Sequence, residues 1–190
     1  DVQLPRVLIY SGSGELEREI QLAGELLYSA PASVLADMDG DGVPEIILPT
    51  EGTLNVVHGD GTPLNGFPAV FSDAEPGSRP SLQNCGAVVG DIDGDQLPDI
   101  LFCTLDKGAT ELWAYDRFGN LLPDSPLLLA TSGHIPRGPA IGDVDNDGRN
   151  EIAVATANSV WLLRYGHNVP SGEVLWGQWG RDSRNTNSYP

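Results

Sequence analysis

Nine residues, "DMDGDGVPE" from Asp37 to Glu45, carry four carboxylates. The arrangement returns twice, as "DIDGDQLPD" from Asp91 to Asp99 and "DVDNDGRNE" from Asp143 to Glu151. The first residues of the three blocks are 54 and 52 residues apart. A near-constant period of this size marks a repeat architecture, in which each supersecondary unit buries its apolar face against the next. The flanks repeat as well. "PASVLA", "CGAVVG" and "GPAIG" lead into the blocks, and "IILPT", "ILFCT" and "IAVAT" leave them.

These flanking runs are short, apolar and bounded by Gly, Pro, Asn and Asp, which is a strand signature. A second element recurs: "RVLIYSGSGELE", "TLNVVHGDGTPL" and "ELWAYDRFGNLL" align on Gly14, Gly61 and Gly119. Each reads as a strand, a glycine turn and a returning strand. Two of them continue into similar tails, "NGFPAVF" and "PDSPLLL". Four antiparallel strands per repeat of this length match one blade of a β-propeller. The predicted fold is therefore all-β, a propeller of four-stranded antiparallel blades. Residues 34–71, 86–129 and 139–179 form three units, the last with a less regular outer strand. Residues 6–22 supply an outer hairpin alone, so about three and a half blades are present, followed by a tail over 180–190. The remaining strands are expected from the parent chain or from another subunit. "ELEREIQLAGELL" (Glu15 to Leu27) fits a helix about as well as a strand.

Composition narrows the function. The chain has 190 residues, 40% of them hydrophobic, with 23 Gly and 15 Pro, which suits a turn-rich folded core. A net charge of −17 argues against nucleic acid, which needs a basic face, and against adsorption to anionic membranes. No apolar stretch approaches the ~18 residues needed to insert into a membrane as a helix. The chain begins at Asp1 and shows no signal peptide, so it reads as a mature or trimmed form. Of its 27 acidic residues, 12 lie in the three blocks, so the acidity is local. Cys85 and Cys103 flank the second block, either as a disulfide across a hairpin or as two buried thiols.

Within each block the carboxylates stand at positions 1, 3, 5 and 9. A tight loop can turn the side chains at 1, 3 and 5 inward and add the backbone carbonyl of position 7, with the carboxylate at 9 closing the shell. All are hard oxygen donors in a flexible cage, which suits Ca²⁺. Zn²⁺ would want His or Cys, and no block contains either. A helical EF-hand needs its bidentate Glu at position 12, where this chain has Leu48, Phe102 and Val154. Reference pKa values near 4 predict that most of these carboxylates are charged at pH 7.

The blocks, with their small-apolar lead-in and apolar exit, resemble the FG-GAP (VCBS-type) repeats. These are the calcium-loop repeats of the integrin α-subunit propeller and of many secreted bacterial proteins. "GPAIGD" is similar to the Gly-Ala-Pro signature. "DGTPLNGFP" resembles the outer hairpin of bacterial members, and "WGQWGRDSRNTNSY" the segment that ends such propellers. The resemblance implies up to three Ca²⁺ ions. Their ligands would be Asp37, Asp39, Asp41 and Glu45; Asp91, Asp93, Asp95 and Asp99; and Asp143, Asp145, Asp147 and Glu151. The position-7 carbonyls would come from Val43, Leu97 and Arg149. Gln96 departs from the pattern, standing where the other blocks have Gly42 and Gly148, so the middle site is expected to be the weakest.

No nucleophile or cofactor motif is present. His58, His134 and His167 belong to no metal motif, and "SGSGE" (11–15) reads as a hairpin turn. Trp113, Trp161, Trp176 and Trp179 are read as packing residues. Asp182 and Arg184 are read as capping the last unit. The expected function is a non-catalytic, calcium-binding module of a secreted or cell-surface protein, acting in binding, adhesion or scaffolding, with a protein or carbohydrate ligand. The alternatives are an accessory propeller of an extracellular hydrolase or lyase, and a self-assembling subunit completed by a neighbouring chain.

Overall fold

The computed structural model describes residues 4–24, 32–72, 86–130, 138–156, 159–165 and 170–178. The described residues contain no helix; they form fourteen strands in four antiparallel sheets. The first sheet is the hairpin of β1 (Arg6–Tyr10) and β2 (Leu16–Gln21). "LEREIQ" is thus a strand, and "SGSGE" is its turn, closed by Gly14 N donating to the Ser11 carbonyl at 2.9 Å. The second sheet runs in order through β3 (Val34–Ala36), β4 (Glu45–Thr50), β5 (Thr53–Val57) and β6 (Ala69–Val70).

The third sheet repeats this order with β7 (Val88–Gly90), β8 (Asp99–Asp106), β9 (Ala109–Tyr115) and β10 (Leu127–Ala130). The fourth has three strands, β11 (Ala140–Gly142), β12 (Glu151–Ala155) and β13 (Val160–Arg164). β14 (Val174–Trp176) was expected as the irregular outer strand of that last unit. It lies instead beside β7, as a fifth strand of the third sheet, with Val174 opposite Gly90 and Trp176 opposite Val89. Gly90 permits this: a Cβ there would stand 3.2 Å from the Val174 Cα. Trp176 then faces the starts of β3, β7 and β11, where Val34, Ala87, Val88 and Pro139 line the same hollow.

The sheets stack face to face. Val34, Met38, Ile47, Leu54 and Val56 of the second sheet pack on Val89, Ile100, Phe102, Trp113 and Tyr115 of the third. Leu101, Cys103, Leu112 and Ala114, on the third sheet's other face, pack on Ile141, Ile152 and Val154 of the fourth. Ile20 and Leu22 cover Leu48 and Val57 on the far side of the second sheet. Both faces of the two middle sheets are thus buried. Strands of this kind read as continuous apolar runs, because neither side meets water; this accounts for "DILFCT" and "TLNVV". Phe102, Trp113 and Tyr115 stack with centroids 6.2 to 6.5 Å apart, so Trp113 is a packing residue, as is the buried Trp176. Cys103 is buried in β8. Cys85, Trp179, His134, His167, Asp182 and Arg184 lie outside the described residues.

The outer hairpins interlock across sheets. A Cβ on Gly66 would run into the Phe118 carbonyl oxygen, and one on Gly119 into the Gly66 carbonyl oxygen. Only glycine allows two backbones to approach so closely.

Candidate metal centres

Each acidic block is the loop between the first two strands of its sheet: 37–44 joins β3 to β4 (loop one), 91–98 joins β7 to β8 (loop two), and 143–150 joins β11 to β12 (loop three). The position-9 carboxylate opens the second strand. Glu45, Asp99 and Glu151 are 0%, 1% and 3% exposed.

Buried carboxylates need donors, and the loops supply them by one scheme. The position-9 carboxylate accepts the amide of position 2: Met38 N to Glu45 Oε2 at 2.7 Å, Ile92 N to Asp99 Oδ2 at 2.9 Å, and Val144 N to Glu151 Oε2 at 3.0 Å. The position-1 carboxylate accepts the amide of position 6: Gly42 N to Asp37 Oδ2, Gln96 N to Asp91 Oδ2 and Gly148 N to Asp143 Oδ2, at 2.9, 3.0 and 2.9 Å. The position-5 carboxylate accepts the amide of position 7. Val43 N, Leu97 N and Arg149 N donate to Asp41, Asp95 and Asp147 at 2.7, 2.8 and 3.0 Å. The amides therefore fold inward and draw the side chains with them.

Position 6 is left-handed throughout, with φ of 85° at Gly42, 83° at Gly148 and 70° at Gln96. A side chain in this region costs about 1 kcal/mol, so the middle loop keeps the shape at an energetic penalty. Gln96 offsets it in part, since its Nε2 donates to the Pro170 carbonyl at 2.8 Å. The segment after Pro170 closes over this loop, and Gly172 N donates to Asp91 Oδ2 at 2.5 Å.

The expected ligands gather, but not as three identical sets of four. Asp37, Asp39 and Asp41 each bring a carboxylate oxygen within 4.8 Å of the others. Asp91, Asp93 and Asp99 do the same in loop two, and Asp143, Asp145 and Glu151 in loop three. Asp95 and Asp147 fall outside these groups. Glu45 joins Asp39 together with His58, whose Nδ1 lies 3.1 Å from Glu45 Oε1.

His58 has no signal in its own neighbourhood of sequence. Its role comes from register: Ile46 pairs with Val57, so the next pair along the hairpin is Glu45 with His58. The same step places Asp116 beyond the Ile100–Tyr115 pair, and Arg164 directly opposite Glu151. The residue facing the position-9 carboxylate is thus a histidine, an aspartate and an arginine in turn. Aligning the hairpins on their returning strands would have exposed it.

Crowding shifts the protons. Burial pushes Asp99 up to about 8, with the charges of Asp93, Asp95 and Asp91 adding to the effect. Burial also raises Asp93 and Glu45, the latter opposed by its bond from Met38 N. Among the carboxylates expected to be charged at pH 7, Asp99 is thus the one held furthest toward its protonated form. Asp147 goes the other way, lowered by its hydrogen bond from Arg149.

The FG-GAP-like repeat pattern matches the chain twice, at residues 37–102 and 91–154. Each match runs from the first aspartate of one acidic block past the end of the next. None of the curated proteins matches the chain. Among solved structures, the Bacillus licheniformis rhamnogalacturonan lyase shares its fold at a TM-score of 0.54 and 23% identity, over 91% of this chain and 36% of the lyase. The chain thus spans about a third of that enzyme's length.

Proposed function

The chain belongs to the FG-GAP-like repeat family, and we propose that its acidic loops hold Ca²⁺, at most three ions, in a β-propeller module. The observation that carries this reading is the common amide scheme of the three loops, which presents clustered carboxylate oxygens at the same point of three successive sheets. Hard oxygens in a flexible cage fit Ca²⁺ better than Mg²⁺, which dehydrates reluctantly and demands near-octahedral geometry. The ion would be held by Asp37, Asp39, Asp41 and Glu45 in loop one, and by Asp91, Asp93, Asp95 and Asp99 in loop two. Loop three presents the corresponding set, Asp143, Asp145, Asp147 and Glu151, to a cation, and the position-7 carbonyls are those of Val43, Leu97 and Arg149. Bound there, it neutralises the carboxylates and ties the first two strands of each sheet together.

Face-to-face sheets whose first strands converge around Trp176 support a propeller of about three and a half blades. Further blades belong beyond the fourth sheet. Met38 and Ile92, at position 2 of loops one and two, are buried against the next sheet, whereas their counterpart Val144 is 60% exposed. Val160 and Leu162 of β13 are exposed as well. The parent chain or another subunit would cover them. We read the module as non-catalytic and extracellular, acting in binding, adhesion or as a scaffold, with a protein or carbohydrate ligand. No helix of the described residues is long and apolar enough to cross a membrane. A second reading, an accessory propeller of an extracellular lyase or hydrolase, is favoured by the fold shared with the rhamnogalacturonan lyase over 91% of this chain.

Thermal unfolding with and without chelator tests the calcium reading. Binding to the folded state adds RT ln(1 + [L]/Kd), about 2.7 kcal/mol per site at a hundredfold excess over Kd. A chelator should lower the Tm by several degrees, and Ca²⁺ should restore it more fully than Mg²⁺. An unchanged Tm in metal-stripped protein would refute the reading.

A further inference from the structure

Arg164 holds the place in the fourth sheet that His58 and Asp116 hold in the two before it. Its guanidinium crosses from β13 into loop three. Nη2 donates to Asp145 Oδ2 at 2.7 Å and to Glu151 Oε1 at 2.7 Å, and it lies 3.4 Å from Asp147 Oδ2. Nε donates to the same Glu151 oxygen at 2.8 Å. One side chain thereby meets the carboxylates of positions 3, 5 and 9. Glu151 is almost wholly buried, so this contact is better shielded from water than an exposed ion pair, which is worth little. Arg149 adds a second guanidinium on Asp147, with Nε at 2.9 Å from Oδ2.

A guanidinium is always protonated and has no acceptor atom. A calcium ion needs its oxygens at about 2.3–2.6 Å. An ion at that distance from Asp145 Oδ2 and Glu151 Oε1 would claim the space of Nη2, which already stands 2.7 Å from both. The two cations would also repel. In loop one the facing residue is His58, whose Nδ1 lies 3.1 Å from Glu45 Oε1. In loop two it is Asp116, occupied by its own turn through the amides of Phe118 and Asn120 at 2.8 Å each.

We propose that Arg164 is the resident cation of loop three, filling the place that calcium takes in loops one and two, so that the chain binds two ions rather than three. This rests on the calcium reading of the other two loops. The residue across the hairpin from the position-9 carboxylate is then what decides whether a repeat takes metal.

Calorimetric titration of the chelator-stripped full chain with Ca²⁺ tests this. The wild type should bind two ions. Asp37→Asn and Asp91→Asn should each remove one, while Asp143→Asn should leave the count at two. Arg164→Gln should raise the count to three, and Arg164→Lys, which keeps the positive charge, should hold it at two. If Arg164→Gln unfolds without metal, saturating Ca²⁺ should refold it. Three ions in the wild type, a loss on Asp143→Asn, or an Arg164→Gln protein that neither gains an ion nor refolds with calcium would each overturn the proposal. A wild type that binds no ion defeats the calcium reading of loops one and two instead. The inference is then decided by Arg164→Gln alone, supported if that variant gains one ion and refuted if it gains none.

Discussion

Gly172 and Asp91, 81 residues apart in the chain, are joined by a hydrogen bond from the glycine amide to Asp91 Oδ2. The same oxygen accepts Gln96 N at 3.0 Å and lies 3.4 Å from Gln96 Nε2. Loop two is therefore finished by a segment that belongs, in sequence, to the last repeat. Asn150 reinforces the junction, with Nδ2 donating to the Asp91 carbonyl at 2.8 Å and to the Gly172 carbonyl at 3.3 Å.

A Cβ on Gly172 would stand 2.9 Å from Asp91 Oδ2, closer than real Cβ atoms come. Gly172→Ala should therefore displace the strap and weaken calcium at loop two by roughly tenfold, about 1.4 kcal/mol. Loop one should be unaffected. Titration calorimetry resolving the two sites would show one affinity falling while the other holds.

Stability of the metal-free protein should fall as pH rises. Asp99 has its folded pKa raised to about 8, against an unfolded value near 4. The folded state then binds the extra proton between these limits, and stability is fully present below about 4 and lost as pH rises through about 8. Asp93 and Glu45, also raised, act in the same sense. Denaturant unfolding in chelator from pH 4.5 to 8.5 measures the slope. Asp99→Asn should flatten it, because the amide stays neutral throughout. With calcium present the slope should shrink or reverse, since the ion takes the ionised form.

The contact of Gly66 with Phe118 and Gly119 predicts a large effect from a small change. Gly66→Ala or Gly119→Ala must separate the outer hairpins of the second and third sheets, and each should cost about 2–4 kcal/mol, the range of strongly destabilising changes. Gly12→Ala, where a Cβ meets nothing within 4 Å, is the control and should be close to neutral. Urea midpoints of the three variants separate these outcomes.

Much of this was legible before any coordinate. The 54- and 52-residue spacings locate the loops between the first and second strands, and Gln96 marks the strained turn, which the φ of 70° bears out. The cross-hairpin partners were hidden because they depend on strand register. His58 and Arg164 both follow their position-9 partners by 13 residues, but Asp116 follows Asp99 by 17, and it is the pairing of β4 with β5, β8 with β9 and β12 with β13 that sets all three opposite their carboxylates. β14 was hidden for another reason. A three-residue apolar strand carries no mark of its neighbour, and its place beside β7 is decided by the close approach that Gly90 allows.

The stacking of sheets has a further consequence for how the molecule comes apart. Among the described residues the sheets pack on their neighbours in turn, so stability is shared pairwise along the stack. β8 and β9 lie between two covered faces, whereas β1 and β13 each present a side to water. Opening should therefore begin at the two ends and travel inward. Amide hydrogen exchange would record this as a gradient, with the slowest amides at Leu101, Phe102 and Trp113 and the fastest at Val7 and Leu162. A ligand gripping one exposed end of the stack would then close one of the two routes inward, slowing exchange in the sheets beside it while the opposite end still frays.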